Sequence, residues 1–261
     1  KVTGGRNLIE PTSTKQRPRA VVYLHEMRAA FVGASLNLDP HRLAAATIVI
    51  GLEDAFDIEF FGSKPHIAQS RRIVLIPPEM PHHLRPSGHM FFLYLDPVGV
   101  DYSSLSENRF DRLSAQADAV VSNLLDAHRT QSTAADFIRR ASELLDLPMR
   151  PFADPRLAGT LRAIDADPVR FTSVGEAASL ACISVSRFQH LFKEATGTTF
   201  RRYRLWKRMA VVARSLSEGN TLTEAAFEAG FSSSSHLSTT FREIFGIKPS
   251  DLVSLSIELR T

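Results

Sequence analysis

FKEATG at residues 192–197 returns almost letter for letter as FREIFG at 241–246, 49 positions later. Further back, Glu176-Ala177-Ala178 returns as Glu224-Ala225-Ala226 with a spacing of 48, so one residue has been added between the two landmarks, where a turn belongs. Each copy opens on a capping box, Ser173 to Glu176 and Thr221 to Glu224, in which a hydroxyl and a carboxylate satisfy free amides at a helix start. Each copy therefore reads as helix, turn, helix: 174–181 then 185–195, and 222–229 then 234–245. Gly230 supplies the left-handed residue at the turn of the second copy.

The copies are joined by FRRYRLWKRMAVVARSL (200–216), which carries Phe200, Tyr203, Trp206, Met209, Ala210, Ala213 and Leu216 along one stripe. That spacing predicts a single helix about 25 Å long at ~1.5 Å per residue. A helix-turn-helix places its second helix in the DNA major groove, and major grooves recur on one face of the duplex every ~34 Å. A rigid rod of this length between two such units predicts two readers in neighbouring grooves.

Charge supports the same reading. Net charge is only +3, but residues 187–214 hold eight basic side chains against one acid, Glu194. At 100° per residue the first reader buries Phe188, Leu191, Phe192 and Ala195 and presents Ser186, Gln189, His190 and Lys193 to base edges. The second buries Leu237, Phe241, Ile244 and Phe245 and presents Ser235, Thr239 and Arg242. Arg187, Arg201, Arg202, Arg204, Lys207 and Ser234 are the candidates for phosphate contact, which positions without specifying. The first helix, richer in long polar side chains, is expected to carry most of the base readout.

Residues 21–95 have a different texture. VVYL, ATIVIG, FDIEFFG, RRIVLIPP and HMFFLYL are short apolar runs separated by Asp, Gly, Pro and His, and predict an all-β barrel or sandwich. The intervening IPPEMPHHLRPSGH reads as a turn-rich connection. From Leu105 to Leu147 apolar residues recur at helical intervals, predicting two helices broken near HRTQST. Three prolines in LPMRPFADP end the helical pattern and mark a boundary, beyond which the chain reads as helical throughout.

The repeat and its linker, closing on the FxxxFG-x-x-P element that ends at Pro249, resemble the DNA-binding domain of the AraC/XylS family of bacterial transcription regulators. The resemblance implies an α+β multidomain chain in three parts. Residues 1–104 would be a cupin-like, effector-sensing β-barrel, 105–150 a helical dimerisation segment and linker, and 151–261 an all-α AraC-type DNA-binding domain. It implies a small-molecule-responsive activator, homodimeric, bound to double-stranded promoter DNA and able to meet RNA polymerase. Cys182 stands where the family often has glycine at the turn. A lone cysteine fits a reducing compartment, and with no apolar run long enough for a membrane span a cytoplasmic location is expected.

Two other classes were weighed. A cupin-type metalloenzyme with a helical appendage would need His ligands, yet the neighbours His82 and His83 point to opposite faces of a strand. No phosphate loop, nucleophile elbow or paired-carboxylate motif is visible, so neither catalysis nor a cofactor or metal is expected. A DNA-architectural protein without effector would bind many sequences alike. Arg71, Arg72 and Arg85 are candidates to meet an acidic effector.

Overall fold

The computed structural model describes residues 19–25, 28–62, 68–98, 105, 107–147, 154–253 and 256–260. The core of LPMRPFADP, taken above as a boundary, lies outside the described residues. Strands β1 (Arg19–His25), β2 (Arg28–Ala34), β3 (Ala46–Gly51), β6 (Ile73–Ile76) and β8 (His89–Leu95) form one antiparallel sheet. Strands β4 (Phe56–Phe60), β5 (Ala68–Arg71) and β7 (His82–Arg85) form a second, in the order β5-β4-β7. The expected barrel is thus not closed: two sheets of unequal size lie where one continuous wall was anticipated. Strand β7 also corrects the reading of IPPEMPHHLRPSGH as a plain connection, since HHLR pairs along β4.

Alternation assigns the faces of the larger sheet. Ile48 and Ile50 of β3 and Phe91, Leu93 and Leu95 of β8 belong to one apolar cluster, whereas Val49 and Met90 belong to another. Strand β3 is buried at every position because both faces are covered.

The first face is covered by α1 (Glu107–Ala115), α2 (Ala117–Thr130) and α3 (Ala134–Leu144). The break falls in HRTQST as expected, where Thr133 caps α3 by accepting from the Asp136 amide, but an additional break at Gln116 makes three helices of the expected two. Phe110, Val120, Val121, Leu124, Phe137, Ile138, Ala141 and Leu145 are all buried in the cluster shared with the sheet. The apolar stripe offered above for pairing two chains is therefore covered within one chain.

Beyond α4 (Pro155–Ala166) come α5 (Val174–Leu180), α6 (Val185–Thr196), α7 (Phe200–Ser217), α8 (Leu222–Glu228), α9 (Ser234–Phe245) and α10 (Pro249–Val253). The chain then departs from the expected all-helical ending. Strand β9 (Ser256–Arg260) runs parallel to β1 and completes a six-stranded sheet, β6-β3-β8-β2-β1-β9. Arg260 donates to the Tyr23 hydroxyl (3.1 Å) and to the Gln131 carbonyl (3.2 Å), tying the end of the chain to the sheet and to the α2–α3 turn.

The two helical repeats sit in different surroundings. The first packs in a second cluster with α4, through Leu157, Leu161, Ile164, Phe188, Phe192, Phe200 and Tyr203, joined by Val98 from the segment after β8. The second shares one continuous cluster with the β-sheets: Val49, Ile58, Ile76, Leu84 and Met90 with Met209, Val212, Leu237, Phe241 and Ile244.

Candidate nucleic-acid interface

Both units are built to the same plan. Ser173 and Thr221 accept from the amides of Glu176 and Glu224 at the starts of α5 and α8. The second box is complete; in the first, the Glu176 carboxylate accepts from the Thr172 amide instead of the cap residue's own. The turns correspond across the repeat: Cys182 has φ 54° and Gly230 φ 72°. Cys182 therefore keeps the left-handed conformation that the more common glycine would adopt freely, at a cost of about 1 kcal/mol. The extra residue lies just after it, because the caps of the second helices, Ser184 and Ser233, are again 49 apart. Gly197 and Gly246 close α6 and α9 with the same φ of 73°.

On α6, Phe188, Leu191 and Phe192 are buried and Ser186, Arg187, Gln189, His190 and Lys193 are exposed. Ala195, expected inside, is exposed; Thr196 is buried in its place and donates to the Phe192 carbonyl. His190 has Glu194 one turn away at 3.7 Å. Gln189, Lys193, Arg201 and Arg204 converge on a cleft between α6 and the starts of α5 and α7. Arg204 donates to the Thr172 carbonyl, while its Nε is buried without a partner. Arg208, which was assigned no role from the sequence, lies over the Phe231 ring beside the second turn.

On α9, Leu237, Phe241 and Ile244 are buried and Ser235 and Thr239 exposed, with Ser234 half-buried in the first turn. Phe245 is only partly buried, since it turns toward Tyr94 of β8 (ring centroids 6.0 Å).

Three of the expected DNA-contacting cations form ion pairs within the chain. Arg242, expected at base edges, pairs with Asp39 in the loop after β2 at 2.6 Å. Arg202, expected at phosphate, pairs through Nε with Glu79 at 2.7 Å and donates to the Arg42 carbonyl. Lys207, also expected at phosphate, is almost fully buried between Asp96 (3.0 Å) and Asp165 (2.7 Å). Burial disfavours its ammonium, and the two carboxylates more than reverse that, raising its pKa. The acids Asp39, Glu79 and Asp96 all come from the β-rich part of the chain, and no local sequence signal marks them as partners of the helical repeats.

The same seam encloses a cavity of about 420 Å³, walled by the sheet, by α7 and by the end of α9. Phe92 and Tyr94 from β8, Trp206 from α7 and Phe245 from α9 line it, together with His41 and His82. Arg71, Arg72 and Arg85 do not. Arg72 holds the Gly51 and Leu52 carbonyls, and Arg85 faces Glu59 at 3.8 Å.

A helix-turn-helix domain family matches residues 177–254, spanning the two units and α7. An AraC-like transcription regulator of Streptomyces lividans is 33% identical over 115 residues, which are 44% of this chain and 38% of that protein. The C-terminal repeat matches a helix-turn-helix domain family and is similar to AraC-like regulators. The transcriptional activator RhrA of Rhizobium meliloti is 34% identical over 88 residues, 32% of this chain and 27% of its own length. The chain thus spans well under half of the curated relatives it matches. A solved structure of an apo ToxT variant from Vibrio cholerae covers 88% of this chain and 97% of its own, at TM-score 0.57 and 12% identity. At that identity the shared property is the fold. Another, of ToxT bound to a methylnaphthyl butenoic acid, has TM-score 0.51 and 11% identity, covering 91% of this chain and 98% of its own.

Proposed function

We propose that the chain is a sequence-specific DNA-binding transcriptional regulator whose AraC-type domain is controlled by a small effector bound at the seam with the β-sheets. The observation that carries this is the double helix-turn-helix. The two units have matching caps and turn conformations, and 18-residue α7 spans about 27 Å between them. In this reading Ser186, Gln189, His190 and Lys193 of α6 face base edges, assisted by Ser235 and Thr239 of α9. Arg187, Arg201 and Arg204, with Ser234 at the start of α9, face phosphate.

Electrophoretic mobility shift at fixed salt, comparing the target promoter with random DNA, tests the reading. Specific binding should exceed non-specific by about 10³-fold or more. Equal affinity would favour an architectural role instead. Within the same assay, His190→Ala should reduce discrimination between matched and mismatched sites by about 1–3 kcal/mol, and Thr239→Ala by less. A larger loss at Thr239 would reverse the assignment of α6 as principal reader.

Control follows from the ion pairs at the seam. With Arg202 on Glu79 and Arg242 on Asp39, one cation at the start of α7 and one on α9 are turned to acids of the β-rich part. DNA phosphates and these carboxylates compete for the same side chains. The double variant Asp39→Asn, Glu79→Gln should therefore bind DNA about threefold to tenfold more tightly at low salt, with the gain shrinking as salt rises. Unchanged affinity would sink the competition.

We assign residues 1–104 to effector sensing, 105–150 to the helical segment and 151–261 to DNA binding. Homodimerisation is retained as part of the reading, through the outer surfaces of α1–α3 instead of the buried stripe, and sedimentation with and without DNA measures it. Contact with RNA polymerase, activation over repression and a cytoplasmic location complete the reading, by likeness to activators such as RhrA; no helix among the described residues is long and apolar enough to cross a membrane. Among the described residues no three His, Cys, Asp or Glu side chains gather as metal ligands.

A further inference from the structure

We propose that the seam cavity takes an uncharged, flat, apolar molecule bearing one hydrogen-bond acceptor, and that it discriminates against a carboxylate of the same shape. This rests on the cavity being the effector site.

The walls set the shape. Tyr94, Trp206 and Phe245 come from three different elements and stand with ring centroids 5.4, 6.0 and 6.2 Å apart, none fully buried although each lies in the middle of the fold. Phe92 extends the same wall with its ring nearly parallel to that of Tyr94. Rings that line an open volume without filling it suit a planar apolar guest, and about 420 Å³ lies in the ordinary range for a small-ligand site.

The polar groups set the chemistry. The Tyr94 hydroxyl has no hydrogen-bond partner among the described residues, and burial holds the phenol far above its usual range, so it stays a donor. Tyr94 is partly buried and lines the cavity, so its hydroxyl is available to a ligand acceptor placed there. Positive charge inside the cavity is already committed. Lys207 lies between Asp96 and Asp165, a group with one negative charge in excess, and buried Arg28 is bonded to Ser142. His41 and His82 donate their Nδ1 protons to the Asp39 and Met80 carbonyls, and burial holds both imidazoles neutral. Arg214 is exposed, and an ion pair formed there in water adds little. A carboxylate entering among the rings would lose its hydration and meet no free cation.

Acetylnaphthalene and naphthoate share a ring system and differ in what this argument weighs. Each would be titrated calorimetrically into the full chain at neutral pH, with emission followed from Trp206, the only tryptophan and itself part of the wall. The ketone should bind at least about tenfold more tightly than the carboxylate. Tyr94→Phe should weaken the ketone about tenfold and the carboxylate less than twofold. Ala210→Phe, which adds bulk to the cavity from α7 and leaves Tyr94 in place, should abolish binding of both, so that a misfolded Tyr94 variant does not decide the matter. Naphthoate binding as tightly as the ketone would overturn the ligand class while leaving the effector site in place. No heat and no change in Trp206 emission with either probe would overturn the site itself, and the mobility shift of the same preparation reports independently on DNA binding.

Discussion

Lys207→Met is expected to destabilise the chain by about 3–5 kcal/mol, measured by urea denaturation at neutral pH, because it leaves a buried carboxylate without its counter-charge. Asp96 is almost completely buried; besides Lys207, the Val98 amide donates to its Oδ1 at 3.0 Å and the Tyr203 phenol faces it, but neither of these carries a charge. Burial already pushes the Asp96 carboxyl up from the usual carboxylate range despite the ammonium beside it. Asp165, the second partner, is much more exposed and can return to water when Lys207 is gone. The loss should therefore fall on Asp96. The double variant Asp96→Asn, Lys207→Met should recover most of it, since the amide carries no charge to desolvate. If the single and double variants are equally unstable, the pair is not what fastens α7 to the end of β8.

Acidification should produce an effect of similar size. Burial, with His41 adding to it, holds the His82 imidazole down to about 3, while an unfolded histidine titrates near 6.5. Between those values the unfolded chain binds the proton and the folded chain does not, so stability is fully present above pH 6.5 and falls as pH drops toward 3. At ~1.36 kcal/mol per unit, the loss reaches about 2 kcal/mol at pH 5. His41 is shifted the same way, mainly by burial, and its ring lies 4.3 Å from that of His82, so the two resist protonation together. Denaturation midpoints between pH 8 and 5 should show the slope, and His82→Phe should flatten it. An unchanged slope in His82→Phe would assign the acid sensitivity elsewhere.

The parts of the fold that were legible share one property: they are specified within a few residues. The boundaries of α9 at 234 and 245 follow from Ser233, the Leu237/Phe241/Ile244 stripe and Gly246, all inside one helix and its caps. The shift from a 48- to a 49-residue repeat locates an insertion to the turn after Gly230, and the conformations of Cys182 and Gly230 agree with it. Strands β3 and β8 are legible because they are continuous apolar runs. Strand β7, with two histidines and an arginine, and β9, a short SIELR, carry too few apolar residues to be distinguished from loop by pattern. They are strands because β4 and β1 present unpaired backbone edges to them.

The candidate site divides along the same line. The exposed face of α6 was readable, because helical periodicity alone decides which side chains are opposite Phe188 and Phe192. The employment of the cations was not. Arg242 is 203 residues from Asp39, Arg202 is 123 from Glu79, and Lys207 is 111 from Asp96, so nothing near these basic residues distinguishes a phosphate contact from an internal ion pair. Trp206 gave the same false impression: it lies on the periodic stripe of α7, yet it is only half-buried and leans toward Tyr94 of the sheet.

By itself the amino-acid order determined the double helix-turn-helix, its exposed face and the rod between its halves, because caps, turns and 3.6-residue periodicity act over distances of one or two helical turns. Tertiary structure alone decided that the first unit packs mainly with α4 while the second is built into the sheets, that three cations pair with acids of the β-rich part, and that an aromatic cavity opens at the seam. Those outcomes depend on surfaces far apart in sequence meeting in space, where burial and Coulomb interaction depend on distance through the fold and not on position along the chain.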